Sequence, residues 1–472
     1  KINKRTMGKK PISKKQIKTI NLNFPENLDN YAVVDASIFD VYTGAIKKET
    51  AVLIEGKKFS TVCPQVNLPQ NVKKISCPGC TILPGLIDVH VHTEDWHGPL
   101  FLAMGVTTVR DVGCELEAVL SRRTWWNSEG TLAPHLLCTG PVLDCPGNTW
   151  PATTQIVKSP EDARAQVNYL VQRGVDQIKT YAFLDRPCFE AILSQAQIHG
   201  KFVLSHLGKN VDARQAIEAG VNEIEHLSGV SEAMWWEQNQ SSQTWDWIKL
   251  WAYIDKERMN RLIDLILEKD IWMAVTRIVW LRLASTWDTS LIKHPQMEYI
   301  TGPLREYWEK RFPRSIEKTK VPDKMPAPNR IDRSQQVAGM SIFTSELIRN
   351  GAKILVGSDT PFPYLMPGFS FHDEIKALLD CGMSESEVIK AATLYAAEAL
   401  EIDHVTGSIV EGKRADFIIV DGNPIDDIQA LQKIKMVVKE GYGYKPESLL
   451  EYAIGVTQRV EQKRKKRFDS IY

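Results

Sequence analysis

From Tyr31 onward, apolar and polar positions alternate in two short stretches, YAVVDASIFDVYTG and ETAVLIEGKKFSTV. Their β-branched residues and Gly-bearing turns predict a small antiparallel sheet. The same chemistry returns in Gly407 to Pro424, GSIVEGKRADFIIVDGNP, and in KMVVKEGY, so the two ends of the chain are expected to build one accessory β-sandwich. Between them lie eight more continuous apolar runs: TILPGLIDVHVH, GVTTVRDVG, HLLCTGPVL, GVDQIKTYA, KFVLSHLG, VNEIEHLSG, IWMAVTRIVW and AKILVGSDTP. Helix-length segments such as SPEDARAQVNYLVQRG and DARQAIEAG separate them. Runs without polar alternation suit parallel strands covered on both faces. Eight such units predict an α/β chain of the (β/α)8 TIM-barrel type.

The stretch from Ser231 to Met340 is longer than one βα repeat needs and carries nine of the thirteen Trp, so part of it is expected to be an inserted helical cap. Those Trp suit either core packing or the apolar wall of a ligand pocket. PESLLEYAIGVTQRV has helical spacing and leads into the basic EQKRKKRFDSIY, predicting a surface helix with a basic end. Residues 1–20 hold eight Lys or Arg and no acid, the pattern of a solvated tail. The expected organisation is a basic tail over 1–30, β-sandwich over 31–81 and 401–445, barrel over 82–400 with the Trp-rich insertion at 231–340, and a C-terminal helix and basic tail over 446–472.

Composition narrows the function classes. With 58 Lys+Arg against 58 Asp+Glu, the chain lacks the field that marks a nucleic-acid partner. No apolar run of about 18 residues predicts a membrane span. Eight Cys in 472 residues are too sparse for a disulfide scaffold, and Cys77 and Cys80 have no second CxxC to complete a zinc cage, so reduced thiols are expected. A cytoplasmic location is the default, with a processed or exported form left open. A small-molecule substrate is expected, and a homo-oligomer remains open.

Six polar residues carry the chemistry. His90 and His92, one residue apart at a strand end, point to the same side and can share a metal, although an isolated HxH also suits core hydrogen bonding. His206 ends KFVLSH, His226 ends VNEIEH, Lys179 lies in DQIKTY and Asp359 in ILVGSD, each near the carboxyl end of a predicted strand. In a barrel those ends meet on one rim. Burying four imidazoles, a lysine and a carboxylate together is costly, and a bound cation is the simplest compensation. Lys179 offers no lone pair as an ammonium. Desolvation favours its neutral amine, which can add carbon dioxide to become a carbamate bridging two metals; a salt-bridged lysine is the alternative.

Taken in order, PGLIDVHVH, GVTTVRDVG, IKTY, the two later His, GSD and the AATLYAAEAL to GSIVEGKRADFIIVDGNP ending resemble the amidohydrolase superfamily over roughly Ala32 to Tyr444. The resemblance is to its binuclear, imidazolonepropionase-like metal-dependent hydrolases, including prolidase-like peptidases and ochratoxin-type amidases. It implies that His90, His92 and Asp359 ligate one divalent ion, that His206 and His226 ligate the other, and that carboxylated Lys179 bridges them. Zinc is the first choice, with manganese, cobalt or iron as alternatives. A metal-bridging hydroxide is then the expected nucleophile, with Asp359 as base and acid; a helix N-cap is the ordinary alternative for Asp359.

Substrate chemistry is less legible. Tyr181 is a candidate donor to a substrate carbonyl or carboxylate, or a packing residue. Arg277 is a candidate carboxylate partner or a structural ion pair, while Arg110 reads as structural. Related peptidases carry a Gly-Gly-His type loop after the third strand. Here VLDCPGNTWP stands in its place, with Asn148 as a neutral substrate contact. The expected activity is hydrolysis of an amide bond in a small N-acyl amino acid, dipeptide or related amide. A cyclic amide or lactone is the alternative substrate, and a silent binding protein the alternative class.

Overall fold

The computed structural model describes residues 30–147, 150–208, 210–235, 247–286, 288, 290–311, 330–362 and 364–469. Residues 1–29 of the basic tail expected over 1–30, candidate Asn148 and parts of the Trp-rich segment lie outside the described residues.

All eight apolar runs contain parallel strands: Leu86–Val91, Val106–Asp111, His135–Cys138, Ile178–Thr180, Val203–Ser205, Glu223–Glu225, Trp272–Ala274 and Ile354–Leu355. The first three form one sheet and the other five run through a seven-stranded sheet. Backbone bonds cross both gaps. Asp176 N donates to Cys138 O at 2.9 Å and Val89 N to Val356 O at 3.2 Å. Val91 also forms a parallel bridge with Thr360. The arrangement is a TIM-barrel-like α/β fold, with helices such as Pro160–Gln172 and Arg186–Ile198 between strands. Their starts follow from local chemistry: Ser159 and Asp185 accept from backbone N–H groups of the first turn, and each helix has Pro near its beginning.

The third run departs from expectation. HLLC pairs with the second strand, but Val142–Asp144 crosses to the fourth, Leu143 opposite Thr180. Gly140, at φ 72°, and Pro141, which has no N–H to donate, divide them. The Trp-rich segment is not one block, because the seventh strand lies inside it. Additional helices, Arg277–Ala284, Ser290–Lys293, Gly302–Arg311 and Arg330–Arg349, separate the seventh strand from the eighth. Trp251 and Trp308 are core residues.

At the chain's two ends, strands Cys80–Pro84 and Phe417–Asp421 pair antiparallel, Leu83 opposite Ile418, inside a six-stranded sheet. A four-stranded sheet from residues 30–76 shares an apolar cluster with it, including Tyr31, Val52, Phe59, Ile82, Phe417 and Val438. Each large apolar side chain fully buried there contributes about 1.5–3 kcal/mol. Lys439 joins this unit to the barrel side, its buried ammonium donating to Ala133 O at 2.7 Å and Trp126 O at 3.2 Å. The helix Pro446–Asp469 buries Leu449 and Ala453. Among the described residues, no helix is long and apolar enough to cross a membrane.

Candidate metal centre

The ladder continues through the residues that leave the strands. His206 N donates to Thr180 O at 3.1 Å, His226 N to Ala274 O at 2.9 Å and Asp359 N to His90 O at 2.7 Å. Hydrogen bonding thus carries the strand geometry into the side chains at the carboxyl rim. Three of these terminal positions are strained: His226, Thr276 and Asp359 have φ of 62°, 41° and 53°. A non-glycine residue held there costs about 1–3 kcal/mol, a cost commonly borne at functional sites. Gly357 permits the close crossing of the first and eighth strands, since a Cβ there would meet His90 Cβ at 2.8 Å.

The side chains converge. His90 Nε2 and His92 Nε2 stand 3.3 and 3.2 Å from Asp359 Oδ1. The His90 and His226 rings are 4.5 Å apart, and those of His206 and His226 are 4.9 Å apart. His90, His226 and Asp359 offer donor atoms within 4.8 Å of one another. Tyr181 lies with its ring 4.5 Å from that of His206, and its hydroxyl accepts from Trp150 Nε1 at 3.2 Å.

Burial keeps the cluster competent for ligation. It lowers the imidazole of His90, takes His206 down to about 3 and holds His226 well below the ordinary histidine range. Burial likewise pushes Lys179 well below the ordinary lysine range, favouring an uncharged amine. For Asp359 burial acts upward, but His90, by charge and hydrogen bond, together with His92 and His226, outweighs it and holds the carboxyl well below the usual range.

His92 shows why a cation fits. Its Nδ1 is 3.2 Å from Gly113 O, which can only accept, so Nδ1 carries the proton in the neutral ring. Nε2 then turns a lone pair toward Asp359 Oδ1. Two lone-pair donors at that separation call for a shared positive charge: a second proton or a metal ion.

Four other residues were not singled out as site residues from the sequence. Glu225 Oε1 lies 2.6 Å from His90 Nδ1, and Glu225 Oε2 is in contact with Lys179 Nζ. These contacts are close but not aligned as hydrogen bonds. Glu223 and Glu225, two apart on a strand, share the interior face, a periodicity visible in NEIEH. Asp88 ties the first strand to the eighth, accepting from Ser358 Oγ at 2.6 Å and Ser358 N at 3.0 Å. Thr276 Oγ1 lies 2.6 Å from His226 Nδ1. With Nδ1 engaged there, Nε2 is left to face the centre. Replacing such an outer partner typically costs 10–100-fold in metal affinity. Thr276→Val should therefore weaken metal binding by roughly that factor in competition with a chelator, whereas Thr276→Ser retains it.

Arg277 is buried and bonded locally. It starts a helix, its backbone N donates to Glu374 Oε1 at 2.9 Å, and its buried guanidinium donates to Ser341 Oγ at 2.6 Å and Val337 O at 3.1 Å. That packs its side chain against Arg330–Arg349 through Nη2. Arg110 is structural as read, although its partner is Glu223 rather than the adjacent Asp111.

The amidohydrolase family profile matches residues 100–442. Ochratoxinase from Aspergillus niger is 24% identical over 295 residues, covering 59% of this chain and 47% of that protein; the match thus spans about half of the curated relative's length. A shorter segment of 56 residues is 48% identical to imidazolonepropionase from Picrophilus torridus, 12% of this chain and 14% of that one. Among solved structures, a bottromycin amidohydrolase aligns with TM-score 0.71 at 20% identity over 94% of this chain and 96% of its own. A Xaa-Pro dipeptidase aligns with TM-score 0.64 at 21% identity over 88% and 99%. These similarities support the TIM-barrel-like fold, and the family match over most of the sequence identifies this chain as a member of the amidohydrolase family.

Proposed function

We propose that the chain is a binuclear metal-dependent hydrolase of an amide bond in a small N-acyl amino acid, dipeptide or related amide. Its proposed frame is a closed (β/α)8 barrel over 82–400 with a small β-sandwich from 31–81 and 401–445. The observation that carries this reading is the convergence of the His90 and His92 imidazoles on Asp359, with the His226 ring and the buried Lys179 in the same cluster.

His90, His92 and Asp359 would hold one divalent ion and His206 and His226 the other, with Lys179 as a carbamate between them. Zinc suits this donor set, and manganese, cobalt or iron also fit. Such ions, when bound, make a water nucleophilic near neutral pH and polarise a carbonyl.

The chain's own residues supply orientation and proton movement. Asp359 takes a proton from the attacking water at a carboxylate oxygen and delivers it to the leaving nitrogen as the C–N bond breaks. Thr276 and Gly113 hold the His226 and His92 rings in position through Nδ1. Tyr181, whose ring lies beside that of His206, would donate its hydroxyl proton to a substrate oxygen.

The test is a panel of N-acyl amino acids, dipeptides, cyclic amides and lactones, assayed with protein reconstituted with zinc and bicarbonate. Turnover of a linear amide, absent from chelated protein, is expected. Turnover confined to lactones, or none across the panel, would overturn the assignment.

A further inference from the structure

Distinct from the imidazole cluster, the loops after Val142–Asp144 and Ile178–Thr180 bring together a second set of metal-ligating atoms. The sulfurs of Cys145 and Cys188 and a carboxylate oxygen of Asp185 lie within 4.8 Å of one another. Cys145 directly follows the strand Val142–Asp144. Asp185 caps the helix Arg186–Ile198, and Cys188 is in its first turn.

The cluster has fixed geometry. Asp144 Oδ1 accepts from Cys145 N at 2.9 Å and from Phe183 N at 2.7 Å, tying the loops together. Asp185 Oδ1 accepts from Cys188 N at 2.9 Å, holding the carboxylate over the first turn. Cys188 is buried, Cys145 half-buried and Asp185 exposed, so the group opens to solvent on its carboxylate side. The eight cysteines are free thiols, and no disulfide links this pair.

We propose that Cys145, Cys188 and Asp185 form a separate site for one thiophilic divalent cation of the zinc class. Two sulfurs and a carboxylate oxygen are zinc donors, with water completing four-coordination. At zinc–sulfur distances of about 2.3 Å and zinc–oxygen distances of about 2.0–2.2 Å, donors on one tetrahedral ion stand roughly 3.5–3.8 Å apart. Small side-chain movements suffice to reach that spacing. Each thiol releases its proton to solvent as the cation takes its place, two protons per ion, without oxidation.

Occupancy would stiffen both loops beside the imidazole cluster, since Trp150 and Tyr181 on the same loops meet through the Nε1 to hydroxyl bond. Binding at this site is independent of whether the protein hydrolyses an amide. Cadmium titration of reduced protein, with the imidazole cluster first loaded with manganese, a poor thiolate binder, reads it through sulfur-to-cadmium ultraviolet absorption.

One saturable equivalent is expected in the wild type. It should disappear in Cys145→Ser and Cys188→Ser and persist in Cys77→Ala. Asp185→Asn, which keeps a capping oxygen and both sulfurs, should weaken binding by at least the roughly 10–100-fold attached to loss of an outer partner. Absence of the band from fully reduced wild type, or its survival in both serine variants, would overturn the site. Unchanged affinity in Asp185→Asn would remove the carboxylate from the proposed ligand set and overturn that three-donor assignment.

Discussion

Asp359→Asn is expected to lower amide turnover by about 100- to 10,000-fold, the usual value of a positioned general acid or base. Asparagine preserves the side-chain shape and an oxygen donor, but its amide cannot take and return the proton. Asp359 stands 3.3 Å from His90 Nε2 and 3.2 Å from His92 Nε2, so it also belongs to the donor set that would hold the metal. Metal content measured with kcat separates its roles. Retained metal with lost turnover assigns the loss to proton transfer; lost metal assigns it to ligation. Near-wild-type turnover with full metal content would contradict the proposed proton shuttle.

The second large effect is on stability. Arg110 and Glu223 are fully buried between the parallel strands. Arg110 donates to Glu223 Oε2 at 3.0 Å, Gln177 Oε1 at 2.7 Å and Val89 O at 2.7 Å. Arg110→Met should destabilise the protein by about 3–5 kcal/mol, because Glu223 is left as an uncompensated buried charge. The urea unfolding midpoint measures the loss. Arg110→Met combined with Glu223→Met should recover a substantial part, since an apolar pair carries no orphan charge. If the single change costs less than about 1 kcal/mol, or the double costs the sum of both singles, the charge-pair explanation fails.

The strands were legible because burial on both faces writes them as unbroken apolar runs, as in AKILVG. Candidate ligands were legible because each stands at or just beyond such a run. The split of HLLCTGPVLD was less apparent: Gly140 and Pro141 signal a break, but not which neighbouring strand Val142–Asp144 joins. Arg277 shows a different limit. It follows a strand, as His206 and His226 do, but left-handed Thr276 turns the chain into a helix and its side chain packs against Arg330–Arg349. Glu225 was hidden by adjacency to His226, although two-residue periodicity places it on the inward face beside Lys179.

The most direct measurement is metal content per chain by plasma mass spectrometry after zinc and bicarbonate reconstitution. Using the Cys145→Ser background confines the count to the imidazole cluster. Two ions per chain are expected, falling in His206→Ala and Lys179→Ala. Metal-free protein after reconstitution, or two ions undiminished in both variants, would contradict the proposed binuclear centre.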